Sequence, residues 1–149
     1  MKGREKQEKV CIFCFSFHEF LSLLEKRKTN FDTLLVAFML KTLGQIGMAP
    51  RLDTCINCGK TNDLNCFSIA DGGLICKDCA DLVDSASPLI FELSDGIINV
   101  MRYIQTHPLR SLEGLALPDQ SEKVLKQILK AYYSYHLGIE NLKSEGLLI

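Results

Sequence analysis

A chain of 149 residues with 47% apolar side chains and a net charge of -1 is long enough to bury one core and too apolar to remain disordered. Its seven cysteines are an odd number, which fits poorly with a fully paired disulfide framework and favours a reducing compartment. The charge is uneven: residues 1–50 carry eight basic and five acidic side chains, residues 51–100 three and eight, and residues 101–149 six and five.

Residues 1–10 are predicted as a charged N-terminal segment. They lead into Cys11 to Phe20, which Ser16, His18 and Glu19 interrupt, so no signal-peptide core follows. Phe15, Phe17, Phe20, Leu21, Leu23 and Leu24 then predict a short helix that ends in the charged run Glu25–Lys28. A second helix follows on Phe31, Leu34, Leu35, Phe38, Met39, Thr42, Leu43 and Ile46, capped by Asn30 or Thr29 and stopped by Gly47 and Pro50. Its other face holds Val36, Ala37 and Leu40, so it is expected to run through the core as one arm of a helical hairpin. The longest apolar run, Leu34 to Leu40, falls far short of the ~20 residues of a membrane span. A soluble, cytoplasmic protein with no membrane partner is therefore expected.

The next stretch reads C-x2-C-x17-C-x2-C, with Cys55 and Cys58 as one pair and Cys76 and Cys79 as the other. Two intervening residues let a tight turn aim both sulfurs at one point, and Gly59 supplies permissive backbone just past the second ligand. Between the pairs, Phe67–Ile69, Asp71-Gly72-Gly73 and Leu74-Ile75 read as strand, turn and strand, a hairpin that returns the second pair to the first. The expectation is one zinc ion on four thiolates in an inserted zinc ribbon over residues 52–82. With four sulfurs at about 2.3 Å no position is left open for a catalytic water, so the role is structural. Four buried free thiols, iron in the same cage and redox chemistry at a single C-x-x-C are the weaker readings. Cys66 reads as a small apolar residue in the loop. Cys11 and Cys14, with His18 nearby, resemble half a metal site but sit among Ile12, Phe13 and Phe15 and read as packing residues.

Downstream, Ser94 can cap a helix with Ile97, Ile98, Met101 and Ile104 on one side, ended by His107–Pro108. Leu109 to Leu117 reads as a turn-rich connector. Asp119 and Glu122 stand at capping-box spacing before Val124, Leu125, Ile128, Leu129 and Tyr132, with Gly138 as the stop and a tail holding Leu142, Leu147 and Leu148. Tyr132, Tyr133 and Tyr135 read as core-packing residues. Lys123, Lys126 and Lys130 form a solvated face, and His18, His107 and His136 are scattered surface or capping groups. No nucleophile triad, phosphate loop or carboxylate pair is present, so the chain is read as no enzyme and without a small-molecule substrate. The fold class is mainly α, a helical domain over residues 11–149 with the four-cysteine insert.

Three stretches in this order resemble a known family: Leu43 to Cys55, Phe67-Ser68 to Gly72-Gly73 before Cys76, and Tyr135-His136-Leu137-Gly138 to Leu142-Lys143-Ser144. Together they are similar to the C-terminal region of RecO, the bacterial recombination mediator, over roughly Phe15 to Ile149. The resemblance implies a nucleoid-associated DNA repair and recombination module that helps load RecA onto single-stranded DNA coated with SSB, anneals strands and partners with RecR. Members begin with an OB-fold of about 80 residues, which nothing before Cys11 could form, so single-stranded DNA is expected as the weaker partner. The resemblance also implies a helical platform for the acidic, apolar-ended tail of SSB, with Lys41, Arg51, Lys123 and Lys126 as rim candidates. Some members keep the zinc cysteines and others lose them, which fits a structural metal. The alternative is a zinc-ribbon nucleic-acid-binding accessory factor in transcription or translation. The acidic balance of residues 51–100 argues against it.

Overall fold

The computed structural model describes residues 2–83 and 87–139, with side chains from residue 14 onward. The tail leucines and the stretch Leu142 to Ser144 lie outside the described residues, as does the side chain of Cys11. The described elements are mainly helical, five α-helices with a small antiparallel sheet. They divide into two compact units, one of residues 1–50 and 95–123 and the other of residues 51–94 and 124–149.

The first unit opens with α1, Lys2–Lys26. It is longer than the apolar pattern predicts, because Lys, Glu, Gln and Arg are good helix formers and the charged N-terminal residues extend the helix without an apolar stripe. Of its expected apolar contacts, Phe20 and Leu23 are buried, while Phe15, Phe17 and Leu21 are exposed. Arg27 closes the turn that follows. Its guanidinium donates to the carbonyl of Asn30 at 2.8 Å, and to those of Leu112, Glu113 and Leu115 at 2.8, 2.8 and 2.9 Å. One side chain thus ties together turn carbonyls from both segments, in addition to the N–H groups of Leu34 and Leu115 that the Asn30 and Leu112 carbonyls already accept.

Helix α2, Phe31–Gln45, starts after Asn30 as expected, but Asn30 sits in the left-handed region (φ 58°) and makes no side-chain cap. Asparagine tolerates that conformation better than most residues. At the other end Gly47 (φ 78°) completes the stop, with the Met48 N–H on the Leu43 carbonyl at 2.8 Å and the Gly47 N–H on Gly44 at 3.2 Å, the Schellman pattern. The buried side is Thr33, Leu34, Val36, Ala37, Leu40 and Leu43. The stripe through Phe31, Leu35, Phe38, Met39, Thr42 and Ile46 is the less buried one. Where apolar residues encircle a helix, periodicity cannot choose which side faces inward.

Helix α3, Lys77–Leu82, lies in the second unit, and α4, Asp95–Thr106, returns the chain to the first, burying Ile97, Ile98, Met101 and Ile104 as the pattern predicts. Lys41 donates to the Gln105 carbonyl at 2.9 Å, and Gln105 donates to the Pro50 carbonyl at 2.9 Å. Beyond Pro108, a 3-10 turn over Leu109–Leu112 buries both of its leucines.

Helix α5, Asp119–Leu137, gives its first residues to the first unit and the rest to the second. The expected capping box is absent. The helix already includes Asp119, the Glu122 N–H bonds the Pro118 carbonyl at 3.0 Å, and the Glu122 carboxylate instead accepts the Thr33 hydroxyl at 2.6 Å. Thr33 is fully buried, and its oxygen also accepts the Leu117 N–H at 3.4 Å. Thr33→Val is therefore expected to cost about 2 kcal/mol, because it strands two polar groups at once. A lowered urea midpoint with an unchanged slope would be the sign.

In the second unit, β1 (Leu64–Ser68) pairs antiparallel with β2 (Gly73–Cys76) on one side and β3 (Ile90–Glu92) on the other, in the order β2-β1-β3. The hairpin is the expected one, although β1 starts three residues before Phe67. The third strand has no counterpart in the sequence reading. The short helix α3, Lys77–Leu82, carries the second cysteine pair out of β2.

Candidate metal centre

The first pair is shaped by a tight knuckle. The Gly59 N–H bonds the Cys55 carbonyl at 2.9 Å, the Cys55 N–H bonds the Lys60 carbonyl at 2.7 Å, and Gly59 holds φ 76° as its position predicts. The second pair spans the junction of β2 and α3, with Cys76 ending the strand and Cys79 within the helix. The register Leu64↔Cys76 and Ser68↔Gly73 puts the cysteine at the open end of the hairpin.

The four sulfurs of Cys55, Cys58, Cys76 and Cys79 all lie within 4.8 Å of one another. Cys58 and Cys76 Sγ are 3.6 Å apart, close to the ~3.8 Å edge of a tetrahedron with 2.3 Å metal–sulfur bonds. The donors suit thiolates as well. The Cys76 N–H points at Cys55 Sγ from 3.3 Å. Burial pushes the Cys55 thiol up, but the N–H groups of Cys76, Cys58 and Asn57 outweigh it and bring it down to about 6. The hydrogen bond with Cys76, then burial, then the bond with Cys58 push Cys79 up to about 12. Without a cation, crowded sulfurs cannot all ionise, whereas a divalent ion among them reverses that preference. The residues fit a four-thiolate metal ion that fills its own coordination.

Cys55 and Cys76 are buried, Cys79 is half-buried and Cys58 is exposed. Across the surface of the site, Lys60 and Asp78 form an ion pair at 2.6 Å that links the two knuckles, holding the lysine up and the carboxylate down in pKa. Both partners are solvated, so the pair orients the knuckles more than it stabilises them. Cys66 lies on β1 rather than in a loop. It is half-buried, and burial, then the charges of Glu92 and Asp81, push its thiol up. Cys14 is exposed rather than packed.

The rim candidates are dispersed among different roles. Lys41 is tied to Gln105, Arg51 bridges in register with Gly73, Lys123 is exposed and Lys126 is half-buried with an interaction of its own. The exposure of Phe15, Leu21, Phe31 and Ile46 in the first unit is not legible from the sequence, because an apolar residue in a helix reads as core unless its neighbours are known. Two histidines bind carbonyls: His107 Nδ1 lies 2.9 Å from Tyr103 and His136 Nε2 lies 2.6 Å from Ile69. Among the described residues no helix is long and apolar enough to cross a membrane.

Comparison with known proteins gives the arrangement a family. Residues 15–146 match the family described as Recombination protein O C terminal. The DNA repair protein RecO of Caldanaerobacter subterraneus subsp. tengcongensis is 27% identical over 91% of this chain and 53% of its own length. Those of Alkaliphilus metalliredigens and Bacillus pumilus are each 31% identical, over 83% and 80% of this chain and 49% and 45% of their own. The chain thus spans about half the length of the curated relatives it matches. No solved structure matches it. With a family match across residues 15–146 and a four-cysteine hairpin set among helices, the chain belongs to the Recombination protein O C-terminal family.

Proposed function

We propose that this chain is a non-catalytic module of DNA repair and homologous recombination that works through protein contacts, with one structural zinc ion on Cys55, Cys58, Cys76 and Cys79. The family match over residues 15–146 carries the reading. On it, the helices contact the SSB tail and RecR, and so assist RecA loading and strand annealing, with single-stranded DNA as a weaker partner. The domain is residues 11–149, the ribbon its inserted brace. Two features of the first unit support this. Phe15, Leu21, Phe31 and Ile46 offer exposed apolar surface along the α1–α2 hairpin, and Lys26 and Lys28 are exposed at its turn. An acidic peptide with an apolar end needs both. The acidic stretch from residue 51 to 100 disfavours the ribbon as a clamp on phosphates.

Fluorescence polarisation with a peptide of the SSB tail, together with a RecR pull-down, tests the proposal. Saturable binding that Phe31→Ser or Leu21→Ser weakens by about tenfold is the expected result. Absence of binding in both assays by a folded, metal-loaded chain would overturn it.

A further inference from the structure

The β1–β2 hairpin is held at both ends. Its open end carries Cys76, and its closed end, the turn from Ile69 to Gly72, rests on α5. There His136 Nε2 lies 2.6 Å from the Ile69 carbonyl oxygen. A carbonyl only accepts, so this nitrogen carries the proton. The imidazole is fixed by two aromatic neighbours, with ring centres 4.3 Å from Tyr132 and 5.0 Å from Tyr135. The Tyr132 hydroxyl closes over Gly72, where an added Cβ would meet it at 3.1 Å, and the Tyr132 ring lies 6.1 Å from Phe67 on β1.

A second path joins the turn to the cysteines. The Arg51 N–H bonds the Gly72 carbonyl at 3.0 Å, the Leu74 N–H bonds the Arg51 carbonyl at 2.9 Å, and the Ile56 N–H bonds the Leu74 carbonyl at 3.0 Å. The segment from Arg51 to Ile56 is therefore stitched to the hairpin at both of its ends and contains Cys55, a second ligand position. The turn cannot move without pulling on a strand that ends at one cysteine and a segment that contains another.

We propose that His136 and Tyr132 form a metal-responsive latch: an ion on the four cysteines stiffens the hairpin and so holds the last turns of α5, and the latched helix in return raises the affinity for the ion. The proposal rests on the four cysteines binding a metal, and it extends that reading from a local brace to control of a helix end. Linkage requires both directions to have the same size. The path consists of packed and hydrogen-bonded groups, the physical carrier that coupling of this kind needs.

The test uses the full chain and zinc itself. Zinc affinity is measured by competition with a chromophoric chelator, and exchange of the amides of residues 132–137 is followed with and without zinc. His136→Ala is expected to weaken zinc binding by about tenfold, and zinc removal to speed exchange at those amides by a similar factor. His136→Gln, which returns an N–H donor near the place of Nε2, should recover most of the affinity, while His107→Ala should change neither reading. A chain that binds no zinc would overturn the metal centre and the latch together. One that binds zinc with the same affinity as His136→Ala, or whose α5 amides ignore the metal, would overturn the latch and leave the metal centre standing.

Discussion

Cys76→Ser is expected to bring the zinc content from one per chain to well below one, and to unfold the ribbon while leaving the helices of the first unit formed. Cys76 is buried at the end of β2, it donates its backbone N–H to Cys55, and its sulfur lies 3.6 Å from Cys58, so its loss removes a ligand and leaves the other three without a common centre. Structural zinc contributes roughly 10–16 kcal/mol in small peptides, as much as a typical domain's whole stability of roughly 5–15 kcal/mol. The sheet it would leave behind has three strands of five, four and three residues. The first unit has its own core in Leu34, Leu40, Leu43, Met101 and Ile104, all buried within it. Metal analysis should show the loss of zinc, and fast exchange should be confined to the second unit. A Cys76→Ser chain that keeps one tightly held zinc would refute the assignment.

Gly73→Ala should weaken the same centre, by a smaller amount, without touching a ligand. A methyl group at this position would lie 2.3 Å from the Arg51 carbonyl oxygen, 2.9 Å from the Arg51 nitrogen and 2.8 Å from Ile56 Cδ1. Two of the three obstacles are backbone, and Arg51 stands in a parallel bridge with Gly73, so the first knuckle would have to leave the edge of β2. Overpacking of this kind costs about 1–3 kcal/mol, and the rigid contacts here place it at the upper end. The loss should appear as a lower denaturation midpoint together with weaker zinc binding, since the displaced segment carries Cys55. Gly44→Ala, with nothing within 4 Å of the added group, is the matching control: alanine favours a helix by about 1 kcal/mol over glycine, so the midpoint should not fall and zinc binding should be unchanged.

The parts legible from sequence were those in which one physical signal dominated. Helix α4 has apolar residues on a single side, and the side predicted is the side buried. The cysteine spacing and Gly72-Gly73 were enough to place the hairpin, because a turn with φ 79° at Gly72 and two short pairs leave little freedom. Where signals were mixed, the reading failed in recognisable ways. Strand β3 has only Ile90, Phe91 and Glu92, two half-buried and one exposed, too short for an alternating pattern to register. The buried side of α2 could not be chosen because apolar residues surround it. Asp119 and Glu122 matched a local motif, but a buried threonine in α2 offered the glutamate a better partner, which only the tertiary fold reveals. The four sulfurs were legible as a group, whereas the contact of His136 with Ile69 joins positions whose neighbourhood no spacing rule encodes.

The two units are interleaved along the chain, first, second, first, second. During synthesis α1 and α2 emerge before the segments that complete their core, and the ribbon emerges next, ahead of the α5 residues it packs with. An ion captured at that stage would tie residues 55 to 79 into a closed loop and shorten the free chain between Pro50 and Asp95, lowering the entropy lost when α4 returns to Lys41. The cysteines would then act in the order of assembly as well as in the finished fold.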